Sequence, residues 1–481
     1  MTLQKNQALR IAQNTRRLAV LFAITSGVLL AFSYSLTPLW WTAWIAPALA
    51  IAAVLIASNP WRFWLGVLAG AMSGVSTFSY HVTTTGIIAS VIILLAIALL
   101  WGSALRYAAY SNERWSAPVA VLTLPCILSG LDTLLNQFSP HGSASSFAYS
   151  QMEFLPLIQS ASWGGTPAIT FVVLTAGSFM GLTLAKLIGA DVRNLKQAGV
   201  MALFIVGGAL VFGILRLQSS TTTSMTNVSI IATDGISQRP QSWDGFWDIY
   251  GESIADSAKP GSIVILPEAI LNLTVDDAEK AGFVLAEATL QSKSTIIVGI
   301  VIEDKEKITN RALIAKPDGS FEWYLKQHLV PGIEAEISSG DIPYVTAKPG
   351  DPFGVAICKD MHFPTLARAY ANLDAKLMIV PANDFNVDDW MTSRMTVLRG
   401  IESGFSIARS ARNGISFVSD PYGRVLSERR STKDLFTLET EVPEGLSHRT
   451  IYAVIGDLFG WLCVVGWGIL LISRRRAFFQ T

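Results

Sequence analysis

Apolar positions crowd the first part of the chain in long runs, at 18–34, 40–58, 63–80, 86–107, 116–135, 167–187 and 198–217. Each is close to the ~20 residues that cross ~30 Å of hydrocarbon as a helix. A last run covers 451–473. The pattern predicts eight membrane spans, seven before a polar region and one after it. Lys5, Arg10, Arg16 and Arg17 precede the first run as in a signal peptide, but no small-residue cleavage site follows and further spans come directly after. It therefore reads as the first span.

From 226 to 447 the texture changes. Short runs rich in Val and Ile (NVSIIAT, SIVILPE, STIIVGIVIE, RALIAKP, PFGVAICKD, KLMIVPAND, GISFVSD) alternate with helical patterns at 243–257, 276–292, 364–372 and 390–403. Near-continuous apolar strands between helices imply buried sheets with helices on their faces. The segment reads as one α/β layered domain of roughly 220 residues, within the usual single-domain range.

Composition supports the division. Of 481 residues, 51% are hydrophobic and 15% charged, which excludes an ordinary soluble protein. Formal net charge is zero, so no global field points to nucleic acid. The basic residues orient the spans: the N-terminal arm, Arg62, Arg106, Arg114, Lys186, Arg193, Lys196 and the tail 474–481 fall on one side. The loops at 35–39, 81–85 and 137–165 carry no Lys or Arg, and Arg216 alone is out of place. The positive-inside rule then puts both termini in the cytoplasm and the polar domain outside. The outward loop 136–166 is long and holds Phe138, Phe147, Tyr149, Phe154 and Trp163. It reads equally as an interfacial aromatic belt or as a substrate-contacting loop.

Candidate chemistry lies at strand ends of the polar domain. Cys358 closes the run Val355–Ala356–Ile357, where polarity switches to Lys359 and Asp360. A thiol there is either a small buried hydrophobe or a nucleophile held rigidly at a cleft. Cys126 and Cys463 lie in apolar runs, so Cys358 has no plausible bridging partner. Glu268 ends the run IVILP, as a helix N-terminal charge or a general base. Lys326, flanked by Tyr324, Leu325 and Leu329, either snorkels or serves a site, and Glu334 follows it. The histidines, His81, His141, His328, His362 and His448, show no ligand spacing, so no metal or other cofactor is expected, and His328 and His362 read as packing or hydrogen-bonding residues.

In the order Glu268, Lys326, Cys358 the chain resembles the Glu-Lys-Cys triad of the nitrilase, or carbon–nitrogen hydrolase, superfamily. Its membrane-bound branch, the apolipoprotein N-acyltransferase family, is similar in KQHLVPGIE, ICKDMHFP, Asn383-Asp384, RGIESGFSIARSARNG and the loop AYSQMEFLPLIQSASWGG, within the same arrangement of helices. The resemblance implies an α-β-β-α sandwich domain outside the membrane. It also implies two lipid substrates, a phospholipid acyl donor and the diacylglyceryl-cysteine of an apolipoprotein. Cys358 would be the nucleophile and Glu268 the general base. Lys326 and the Lys359 N–H would stabilise the oxyanion, and Glu334 would orient Lys326 or the base.

Where the family has Cys-Tyr-Glu, this chain has Cys358-Lys359-Asp360. Asp360 keeps the charge with a shorter reach, and Lys359 is expected to lower the Cys358 pKa. After Asn383 and Asp384, Phe385 begins a departing stretch and Trp390 arrives late; these four, with Tyr149, are expected near the substrates. A membrane-tethered amidase, a paralogue acylating another amine and a non-catalytic lipoprotein binder remain as competing classes.

Overall fold

The structure, a computed structural model, describes residues 2–219, 224–236, 238–304, 307–346 and 352–478. The side chains of the basic tail 474–481, and of Lys5 and Arg10, lie outside the described residues. The chain divides into two compact units. One holds Met1–Leu135, Ser145–Arg216 and Asp457–Thr481; the other holds Asn136–Ala144 and Leu217–Gly456.

Among the described residues, five helices are long and apolar enough to cross a membrane: Gln13–Ser33, Ile87–Arg114, Ala117–Phe138, Ala161–Leu187 and Leu195–Leu217. Shorter apolar helices, Thr42–Ile56 and Leu458–Ser473, occupy the second and last expected spans. The expected span at 63–80 departs. Asn59–Ser73 and Val75–Thr85 are separate helices joined at Gly74, and no residue of the latter is buried. Its hydroxyls bond back to its own carbonyls, Thr84 to Tyr80 at 2.9 Å and Thr85 to His81 at 2.9 Å, which satisfies them within the helix.

The loop expected at 136–166 also divides. Asn136–Ala144 joins the second unit, where Ser143 donates to the His362 carbonyl from its N–H at 3.0 Å and its hydroxyl at 2.8 Å. The remainder folds into the first unit as the 3-10 turn Phe147–Gln151 and the start of Ala161–Leu187. Asp132 anchors it, accepting from Ser146 Oγ at 2.7 Å and Thr170 Oγ1 at 2.6 Å. Phe147 and Tyr149 are buried there.

The second unit is built on two sheets. One has the order Phe436–Pro443, Met225–Ala232, Ile263–Ile265, Thr295–Glu303, Ile308–Ala315, Phe321–Leu325, with two short strands attached. The other has the order Val425–Arg430, Ile415–Ser419, Ser406–Arg412, Leu377–Asn383, Phe353–Val355, Tyr344–Val345. Strand periodicity explains why the runs read as continuously apolar. Val228, Ile230, Ile265, Ile297 and Ile314 meet Val355, Ile357, Ile379 and Val418 of the second sheet in one core. The alternate residues Ile231, Val264, Val298 and Leu313 pack on Phe246, Tyr250 and Leu285 of the helices Trp243–Ser257 and Val275–Ser292.

On the far side of the second sheet, Tyr370 of Pro364–Asn372 donates its hydroxyl to the Val355 carbonyl, and Asp389–Ser403 lies against Ser406–Arg412 and Ile415–Ser419. The layers are α-β-β-α, as expected. Helices 243–257 and 364–372 fall where the pattern put them, and those expected at 276 and 390 begin one residue earlier.

Candidate active site

Glu268 is carried just past Ile263–Ile265, where the chain turns away from the sheet. Its N–H donates to the Ala382 carbonyl at 3.3 Å, and the next residue, Ala269, takes a left-handed φ of 52°. The turn presses on the adjacent strand at Gly299, where a Cβ would lie 2.5 Å from Glu268 Cα. Only glycine leaves room for the backbone that presents this carboxylate.

Lys326 follows Phe321–Leu325, its N–H held by the Asn310 carbonyl at 3.0 Å. Its ammonium is 2.7 Å from Glu268 Oε1 and 2.9 and 2.8 Å from the two oxygens of Glu334. Glu334 is fixed in turn by the Val330 N–H, 2.7 Å from Oε2. Burial opposes the charge on Lys326, but Glu268, Cys358 and Glu334 together hold its pKa above the usual lysine value.

Asn310 completes this cluster, and sequence reasoning missed it. Its Nδ2 donates to Glu268 Oε1 at 2.7 Å and to Glu334 Oε1 at 3.1 Å. A signal was present: an Asn inside the strand run ITNRALIA, where this residue is disfavoured. Glu268 Oε1 thus accepts two donors, while among the described residues its Oε2 accepts none. That oxygen is the one left to take a proton.

Cys358 begins the turn Cys358–His362 with a left-handed φ of 44°. A non-glycine residue there costs on the order of 1–3 kcal/mol, which the surroundings must offset. Asp360 supplies much of that restraint. Its Oδ2 accepts from the Ile357 N–H at 2.9 Å and the Tyr324 hydroxyl at 2.7 Å. Its Oδ1 accepts from the N–H groups of Gln327 at 3.2 Å and His328 at 2.8 Å. Asp360, fully buried, therefore straps the cysteine turn to the segment that follows Lys326.

The Cys358 thiol donates to the Asn383 carbonyl at 3.7 Å. Burial and then the Glu268 charge push its pKa well above the usual thiol value, against the pull of Lys326 and Arg409. Such a thiol keeps its proton at neutral pH and needs a base beside it.

Several placements differ from expectation. The strongest cationic pulls on the thiol come from Lys326 and Arg409 rather than from Lys359, whose charge also interacts with Cys358, and the net shift is upward. Lys359 Nζ donates to the Leu329 carbonyl at 3.1 Å. Asp384 is buried and paired to Arg409, Oδ1 to Nη2 at 2.6 Å, and Asn383 Oδ1 accepts from Asn413 Nδ2 at 2.9 Å. Asp384 is thus tied inside the fold by its ion pair, while Asn383 is half-buried and bonded to Asn413. Tyr149, 1% exposed, packs within the first unit and presents no surface to a substrate. Phe385 is exposed and Trp390 half-buried beneath the Arg394 guanidinium. His328 stacks on Phe363 at 3.7 Å, a packing role as expected.

Comparison with known proteins gives this geometry a context. The family model described as the apolipoprotein N-acyltransferase N-terminal domain matches residues 26–179, and that described as carbon–nitrogen hydrolase matches 244–447. An apolipoprotein N-acyltransferase of Geobacter metallireducens is 24% identical over 95% of this chain and 96% of its own. Across almost its whole length the chain is similar to apolipoprotein N-acyltransferases. Another of these, from Haemophilus influenzae, is 25% identical over 65% of this chain and 66% of its own. An (R)-stereoselective amidase of Pseudomonas sp is 25% identical over 43% of this chain and 82% of its own. Glu268, Asn310, Lys326, Glu334 and Cys358 all fall inside the carbon–nitrogen hydrolase match, and the apolar helices from 26 to 179 inside the match specific to the acyltransferase family.

Proposed function

We propose that the protein transfers an acyl chain from a phospholipid to the N-terminal amine of a diacylglyceryl-cysteine on an apolipoprotein, through a thioester on Cys358. The observation that carries this is the buried Glu268–Lys326–Glu334 cluster electrostatically coupled to a protonated Cys358, on a chain whose relatives share its apolar helices as well.

Glu268 Oε2 takes the thiol proton as sulfur attacks the ester carbonyl. The Lys326 ammonium and the backbone N–H of Lys359 stabilise the oxyanion, each such donor contributing ~2.7–4 kcal/mol in comparable sites. The glycerol oxygen leaves with the proton returned by Glu268. The acceptor amine then attacks the thioester and passes its proton to the same carboxylate. Glu334, with Asn310, holds Lys326 and the base in register.

Domain organisation belongs to the same proposal: spans within 1–220, a catalytic domain at 226–447, and a last span at 451–473 with a basic tail. Both termini are placed in the cytoplasm of a bacterial cell and the catalytic domain outside, where lipid substrates of the outer leaflet reach it. Phe385 and Trp390 are assigned to acyl-chain contact.

Intact-mass analysis of the purified protein with phospholipid tests this directly. An acyl adduct on Cys358, discharged by a diacylated lipopeptide, is expected; no adduct, with activity kept in Cys358→Ala, overturns it. The amidase likeness supports a second reading, hydrolysis with water as acceptor. It requires ammonia release from small amides without lipid. Complementation of a strain depleted of its own N-acyltransferase, with Cys358→Ser as control, separates this acceptor from that of a paralogue.

A further inference from the structure

An ammonium has three N–H donors, and those of Lys326 all face carboxylate oxygens: Glu268 Oε1, Glu334 Oε1 and Glu334 Oε2. Within hydrogen-bond distance the cluster sets two carboxylates against one cation, and the charges of Arg239 and Arg409 reach it only from farther off. The acylation step leaves that balance of charge unchanged. The proton of Cys358 moves to Glu268, and as the S–C bond forms the carbonyl π pair becomes an oxyanion. One negative charge has moved from carboxylate to carbonyl oxygen, beside a lysine already committed to Glu334. The C–O bond to glycerol then breaks, and Glu268 protonates the departing oxygen.

A second cation stands next to the nucleophile. Lys359 directly follows Cys358 in the same turn and is 3% exposed. Its Nζ donates to the Leu329 carbonyl, and among the described residues it has no other acceptor, which leaves two N–H groups unused. That one anchor lies on the segment joining Lys326 to Glu334, next to the Val330 N–H that holds Glu334. The ionisable groups around it are Lys326 at the strand end, Glu334 on the following segment, and Cys358 and His362 on its own turn.

We propose that the Lys359 side chain is the second cation of the reaction, its free N–H groups adding to Lys326, two of whose three N–H groups stay on Glu334, in stabilising negative charge on the donor carbonyl oxygen. This second cation gives the reaction an alkaline limit. Burial, and then the charge of Lys326, push the Lys359 pKa down to about 8, so the cation is lost just above neutrality.

The inference rests on the thioester reading above. Its test follows single-turnover acylation of Cys358 in full-length enzyme with phospholipid micelles, from pH ~6 to ~10, in wild type, Lys359→Arg and Lys359→Met. Wild-type rates should fall above about pH 8. Lys359→Arg should carry that fall upward, because guanidinium stays protonated. Lys359→Met should lose the fall and lower the plateau by about 10²-fold. A Lys359→Met plateau and alkaline fall like those of wild type overturn the proposal. So does an equal loss in both variants with the fall unmoved, which leaves Lys359 only as a strap to Leu329.

If wild type forms no adduct, the thioester reading fails, and alkylation of Cys358 by iodoacetamide decides the matter instead. The neutral variant should then react about tenfold more slowly than Lys359→Arg at one pH, since the nearby charge stabilises the thiolate. Equal alkylation overturns the proposal.

Discussion

Lys326 faces two carboxylates, whereas Arg409, also within electrostatic reach of Cys358, faces one, Asp384. Both groups are buried, and both join segments far apart in sequence. The Arg409 pair is balanced in charge, one cation to one anion, with Arg409 Nη1 taken by the Ile415 carbonyl at 2.8 Å, although among the described residues Asp384 Oδ2 and Arg409 Nε are buried without a hydrogen-bond partner. The Lys326 cluster sets two carboxylates on one cation, and among the described residues Glu268 Oε2 accepts no hydrogen bond. Buried ions neutralised one for one hold a fold in place. Buried ions left short of a partner are poised to exchange a proton, and that separates scaffold from chemistry around this thiol.

Variants in the two groups should therefore fail in different ways. The largest expected effect is Glu268→Gln, which keeps the shape but cannot take the thiol proton. Acyl-adduct formation should fall by about 10²–10⁴-fold with little change in thermal midpoint. A rate near wild type would remove Glu268 from the role of base. Next comes Arg409→Met, which leaves Asp384 buried and unpaired. It should cost on the order of 3–5 kcal/mol in denaturant unfolding, while acylation per folded molecule falls less than in Glu268→Gln. Asp384→Leu combined with Arg409→Met should recover part of that loss; no recovery would show that the two charges do not balance each other.

Asn310→Ala removes one donor from each glutamate. About 1–3 kcal/mol of stability is expected to go, together with a lower acylation rate at unchanged lipid KM. A raised KM instead would put Asn310 in substrate binding. The smallest effect concerns Lys359. Its folded pKa of about 8 lies below the ordinary lysine value, so between the two the unfolded chain binds more protons and stability rises with pH. Lys359→Met lacks this gain. Its thermal midpoint relative to wild type should decline as pH rises from about 8 toward about 10.5, and a constant difference would exclude the lowered pKa.

The layers of the second unit were legible because they follow local periodicity. Ile263–Ile265 and Leu377–Asn383 are apolar on both faces, as sheets covered on both sides require. Cys358 and Glu268 stood out because each ends a strand run, and Lys326 through the order Glu, Lys, Cys that the chain shares with the nitrilase superfamily. Val75–Thr85 was less legible: a window of apolar letters averages over its Ser, Thr and His, but the helices break at Gly74. Asn310 was missed for the opposite reason. Nothing local distinguishes it from an odd strand residue until the two glutamates arrive beside it.

By itself the sequence determined which stretches are apolar helices, which are buried strands, and that a lone thiol sits at one strand end and a carboxylate at another. These follow from spacing within single segments. Only the tertiary structure decided the partners. It tied Asp360 to the backbone of 327 and 328, closed Asp384 onto Arg409, buried Tyr149, and set Lys359 beside the thiol with donors to spare. The physical reason is that a buried charge is defined by what surrounds it, and those surroundings come from residues tens of positions away.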